Sequence, residues 1–144
     1  MKKSTLLQVI FALLILLFVY TAVSKLLDFN QFKEQMYNQT VPHEVATVLI
    51  WSIPEIELFT AVLLLFESTK RYGLYLSVTL MVLFTGYIAL VLLNYFGRVP
   101  CSCGGVIKAL GWKMHLAFNL FFLLLSILGI AIINRERRLV RKEK

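Results

Sequence analysis

"TLLQVIFALLILLFVYTAVSKLL", residues 5–27, decides the fold of this chain. A helix needs about 20 mostly apolar residues to cross the hydrocarbon of a bilayer, and this run is long enough. It lacks the short apolar core and small-residue cleavage site of a secretory signal peptide. It therefore reads as a retained membrane helix.

Three further windows meet the same criterion: residues 45–66, 73–96 and 112–133. Lipid cannot satisfy free backbone N–H and C=O groups, so four such segments predict an all-α, polytopic four-helix membrane bundle. The chain has 144 residues, which is enough for one domain spanning 1–144. Composition agrees: 59% of residues are hydrophobic, 16% are charged, and the mean hydropathy is +0.78. Soluble domains are about 45–50% apolar and about 25% charged. The excess apolar surface has to face lipid.

Lys and Arg counts set the orientation. Ten of the fifteen fall at the two termini and in the short 67–72 turn, and five fall in or beside the other two connections. Both termini are thus expected in the cytoplasm, with loops 28–44 and 97–111 outside, periplasmic if the host is a bacterium. Six cations sit in the tail "RERRLVRKEK" (135–144), which reads as an anchor at an anionic leaflet. The net charge of +7 is accounted for without a nucleic-acid partner.

Loop 97–111 contains "VPCSCGGVIKALGW" (99–112), with the only two cysteines, Cys101 and Cys103. A pair separated by one residue bridges only if the backbone bends, and Gly104 and Gly105 give freedom for a bend just beyond it. Such a short bridge closes almost no chain and adds little stability. A strained, exposed bridge is easily reduced and suits exchange with another dithiol. Arg98 and Lys108 flank the pair and favour the thiolate. Two other readings stay open: small residues in a tight loop, or a soft-metal clip. With His115 the metal reading has three ligands, short of the four of a closed zinc site, so no metal site is assigned.

His115 opens the last span and shares a helix face with Asn119 four residues on. It reads either as a proton partner for a cysteine or as a snorkelling interfacial side chain. In the second span, "SIPEIEL" (52–58) puts Glu55 and Glu57 near the middle of the membrane, where a lone charge costs about 2.5–3.5 kcal/mol on insertion scales. Two residues are about 200° of helical rotation, so the two carboxylates cannot share a face. One is expected to face the bundle interior, Glu55 with the stronger claim. Lys25, near the outer end of the first span, is the obvious cationic partner. The contact reads as a structural pin between two helices or as part of a site for a quinone head group or a proton relay. Tyr20, Trp51, Tyr87, Tyr95 and Trp112 read as interfacial or packing aromatics.

Four features recur in order: Lys25 in "TAVSKLLDF", Pro54 and Glu57 in "IPEIEL", "PCSCGG", and a polar pair opening the last span. Together they resemble the methylamine-utilisation MauE branch of the DoxX-like membrane proteins over nearly the whole chain. The resemblance implies a four-helix bacterial inner-membrane protein of periplasmic thiol redox, supporting disulfide formation or enzyme maturation with a thioredoxin-like partner. The layout is also similar to the cores of DsbB and vitamin K epoxide reductase, which pass electrons from cysteines to a quinone. Those proteins use CxxC where this chain has CxC, and His115 and Asn119 stand where the family often has Arg-Asn.

The expected function is therefore membrane thiol–disulfide exchange. Cys101, Cys103 and His115 carry the chemistry, and Lys25, Glu55, Glu57 and Asn119 form an interior polar cluster, with a quinone as the cofactor the resemblance points to. The rival is a non-catalytic membrane subunit that docks and stabilises an enzyme or metallochaperone. Small-molecule transport ranks last, because the paired broken helices of a transporter repeat are missing.

Overall fold

Segments in hydrocarbon must satisfy their own backbone, and all regular structure among the described residues is α-helical. The computed structural model describes residues 2–95, 97 and 111–143, with side chains from Thr5 onward. Its helices are α1 (Lys2–Leu27), α2 (Phe29–Tyr37), α3 (His43–Leu65), α4 (Lys70–Leu92) and α5 (Trp112–Lys142). Four of them, α1, α3, α4 and α5, are long and apolar enough to cross a membrane, which makes this a multi-pass membrane protein in a lipid bilayer. The fifth, α2, lies in the 28–44 connection, where the sequence pattern gave only a loop.

The spanning helices are apolar nearly all round, as expected when one face meets protein and the other lipid. Helix α1 buries Ile10, Leu14, Leu17 and Phe18 against Ala61 and Leu64 of α3, Leu74 and Met81 of α4, and Phe122 of α5. Leu16, Val48, Leu83 and Leu124 lie exposed on the outside. Helix α1 packs chiefly along α3, and α4 along α5. The α4–α5 seam is tight because its residues are small. There the Ser126 hydroxyl donates to the Phe122 carbonyl at 2.9 Å, which leaves Ser77 to donate to Ser126 at 2.8 Å.

The helices are not level with one another. Helix α1 is interrupted only at Asp28, and the bonds from Asp28 N to Ser24 O (3.4 Å) and Phe32 N to Asp28 O (3.0 Å) carry the helical pattern into α2. Helix α3 runs antiparallel to this α1–α2 pair and displaced along it. Lys25 meets Glu57, Phe29 stacks near Trp51 at 5.1 Å, and the Tyr37 hydroxyl reaches Thr47 at 3.2 Å. The first half of α3 thus packs on α2 through Phe32, Met36 and Ile50, beyond the end of α1. Pro54, buried inside α3, does not break it.

Packing at glycines gives a direct check. A Cβ on Gly73 would lie 2.9 Å from the Leu64 side chain and 3.0 Å from its backbone nitrogen, whereas one on Gly86 would meet nothing within 4 Å. Gly73→Val is expected to destabilise by about 1–3 kcal/mol through overpacking. Gly86→Ala should leave stability unchanged or raise it by up to about 1 kcal/mol. Denaturant unfolding in detergent checks both.

Candidate functional site

An ion pair inside a membrane bundle needs both partners on inward faces. Along α3 the buried positions are Ala46, Ile50, Pro54, Glu57, Thr60, Ala61 and Leu64, a helical repeat of mostly small or apolar residues with one carboxylate. Glu57 is 2% exposed. Its carboxylate accepts from Lys25 Nζ at 2.8 Å on Oε1 and 3.0 Å on Oε2. Lys25 also donates to the Thr21 carbonyl one turn back, at 3.3 Å, and the Thr21 hydroxyl donates to the Phe18 carbonyl at 3.2 Å. The ammonium lies 6.0 Å from the centre of the Phe32 ring. Charge and polar capacity are matched, which is what lets a buried pair persist.

This corrects one expectation. Glu55 was the carboxylate expected to face inward; it lies exposed on the outer face of α3, and Glu57 is the interior one. The reason is rotational. Once Pro54 and Glu57 share the buried stripe, Glu55 is forced to the opposite side. Glu57 is central in α3, but the displacement of α3 brings it level with the last turn of α1. The pair therefore sits toward the end of the bundle from which residues 98–110 connect α4 to α5, and not at its centre.

Helix α5 brings the next polar groups to that end. His115 lies in its first turn, half-buried, 6.4 Å from the Trp112 ring and within electrostatic range of Lys25. Asn119, one turn deeper on the same face, is 5% exposed. His115 Nδ1 and Asn119 Nδ2 are both buried with no hydrogen-bond partner among the described residues, as is the Thr85 hydroxyl of α4. Buried polar atoms left in this state are uncommon and expensive, so this part of the bundle offers donors and acceptors to something else. The structure thus joins Lys25 directly to Glu57 and places His115 and Asn119 on the facing helix. Cys101, Cys103, Arg98 and Lys108 lie outside the described residues.

A second polar contact escaped the sequence reading. Tyr87, taken for a packing aromatic, donates from its hydroxyl to Gln39 Oε1 at 2.7 Å and pairs with the Thr40 hydroxyl at 3.1 Å. Gln39 is 3% exposed and donates to the Gln35 carbonyl at 3.2 Å. This network ties the α2–α3 connection to α4 at the same end. The one available signal was a tyrosine well inside an apolar span, where a buried hydroxyl needs a partner. Thr21 also had a signal, its i, i+4 spacing from Lys25. Among the described residues no three His, Cys, Asp or Glu side chains come together in a way that holds a metal ion.

The pair makes a quantitative prediction. Lys25→Met leaves the Glu57 carboxylate buried and alone, and is expected to cost about 3–5 kcal/mol. The double variant Lys25→Met/Glu57→Leu should recover most of that loss, and Glu55→Leu should not destabilise at all. A double-mutant cycle on unfolding free energies in detergent reads all three.

Comparison with known proteins adds one match. No curated protein and no solved structure matches the chain. The family described as "Methylamine utilisation protein MauE" matches residues 3–132, from the start of α1 to deep within α5. With four apolar spans and nearly the whole chain covered, this membrane protein belongs to the MauE family.

Proposed function

We propose that this protein is a thiol–disulfide exchanger of the bacterial inner membrane, with its termini in the cytoplasm and residues 97–111 in the periplasm. Cys101 and Cys103 are the exchanging pair. The supporting observation is one of connectivity. The cysteines lie in the segment joining α4 to α5, which leaves the bundle at the end that holds Lys25–Glu57, His115 and Asn119.

A thiolate of a reduced thioredoxin-like or secreted partner attacks one sulfur of the Cys101–Cys103 disulfide. A mixed disulfide forms and the other cysteine leaves as a thiolate. The partner's second thiolate then displaces the bound cysteine, so the partner ends oxidised and the CxC pair reduced. The reverse sequence reduces the partner. Each leaving thiolate takes up a proton, and His115, in the first turn of α5, has a ring nitrogen with no hydrogen-bond partner among the described residues, suited to general acid–base exchange. The Lys25–Glu57 pair joins α1 to α3 at this end, and Asn119 lies one turn from His115 on the same face of α5.

Two experiments test the reading. Cys101→Ser or Cys103→Ser, expressed in the membrane, is expected to trap a mixed disulfide with a partner on non-reducing gels, and the double variant none. His115→Gln should slow exchange about 100-fold or more while leaving the trapped adduct obtainable. If neither single variant traps any adduct and the double Cys→Ser variant keeps full function, exchange is wrong and the docking role takes its place.

A further inference from the structure

The opposite end of the bundle is built of cations. Helix α5 continues past its apolar segment as the extension Asn134–Lys142, about 13 Å at 1.5 Å per residue. On one face of this extension Ile133, Arg137, Val140 and Arg141 follow at helical spacing. That face, with Glu136 beside it, looks across a cleft of about 630 Å³ toward Leu7 and Phe11 of α1 and toward Glu67, Ser68, Lys70 and Arg71 where α3 turns into α4; of the two carboxylates, Glu67 is taken up by Lys70. A contiguous cleft of about 390 Å³ is lined by Arg71, Asn134, Arg137, Arg138 and Arg141, with no acidic side chain.

The charges there are not used up internally. Lys70 is paired with Glu67 and lies over the Phe11 ring at 4.8 Å. Among the described residues, none of Arg71, Arg137, Arg138 and Arg141 is in a salt bridge. Arg71 sits 5.6 Å over the Tyr75 ring and one of its terminal nitrogens donates to the Tyr75 hydroxyl at 3.5 Å, while its Nε is buried with no hydrogen-bond partner among the described residues. A buried guanidinium donor without an acceptor is costly unless a ligand supplies one. The amino end of α4 adds its positive dipole to the same place. Guanidinium groups bind phosphate oxygens bidentately, and basic pockets between membrane helices take anionic lipid head groups.

We propose that this cleft binds the phosphate head group of an anionic phospholipid. Arg71, Arg137 and Arg141 hold the phosphate, while Leu7, Phe11, Ile133 and Val140 line the path of the glycerol and upper acyl chains. That apolar wall, at the end of the spanning segments, selects a lipid over a soluble anion. The site is independent of the thiol chemistry, being at the other end of the molecule.

The test is a titration of the full chain in dodecyl maltoside micelles, read by the unfolding midpoint. Dioleoyl phosphatidylglycerol is compared with dioleoyl phosphatidylcholine and with sodium phosphate. The expected result is saturable stabilisation by phosphatidylglycerol alone. Arg71→Gln/Arg137→Gln should weaken it about tenfold to thirtyfold, whereas Arg135→Gln/Lys142→Gln, equal in charge loss but outside both clefts, should change it less than about twofold. Equal stabilisation by phosphatidylcholine overturns the proposal. So does an equal effect of the control pair, which would mean general surface attraction, or phosphate binding as tight as the lipid's, which would mean a soluble-anion site.

Discussion

The Lys25–Glu57 ion pair is the constraint on which the rest of the bundle depends. Taking two charges out of water is costly, and the attraction between them repays that cost only with good geometry and satisfied hydrogen bonds. Here both carboxylate oxygens accept from one ammonium, and the Thr21 carbonyl accepts a further hydrogen bond from it. No apolar contact in the core is as directional. Leucines tolerate sliding by part of a turn, but a 2.8 Å charge-assisted bond does not. The pair therefore sets the register of α3 against α1.

That register has consequences at both ends. Displacing α3 along α1 carries its first turns past the end of α1, and α2 covers them with Phe32 and Met36. The same displacement moves the α3–α4 turn back into the bundle, where Leu64 presses on Gly73. Beyond it α1 and α5 run on as neighbours, leaving the clefts between Phe11, Arg71 and Arg137. One end thus gathers buried polar side chains, and the other gathers arginines that are in no salt bridge among the described residues. Between them lies an apolar core whose polar contact is the Ser77–Ser126 pair. The bundle is chemically polarised along its axis.

The legible part of the site was residue type; the illegible part was rotation and level. "IPEIEL" shows that two carboxylates oppose each other on a helix, because 3.6 residues per turn put them about 200° apart. Which one turns inward depends on where the rest of α3 is buried. The stripe Ala46, Ile50, Pro54, Ala61 and Leu64 is faint in a helix that is apolar on every side. Tyr87 was hidden for a related reason: its partner Gln39 lies 48 positions away in the chain, and nothing local announces the contact.

By itself the sequence determined the four spanning helices and the family. Long apolar runs have one stable form in hydrocarbon, the helix, and that rule needs no neighbours. It also placed the two cysteines and the cationic tail at opposite ends, since each is tied to a span of known length. The tertiary structure decided what no local rule contains: that Glu57 and not Glu55 is the partner of Lys25, that the pair lies toward the cysteine end, and that α2 caps the displaced α3. It also brought Arg71 and Arg137 to one cleft from segments far apart in the chain. The physical reason is the same in each case. In a helix surrounded by lipid and protein of equal apolarity, hydrophobicity does not choose the face, so the few directional polar contacts choose it, and those exist only once the helices have met.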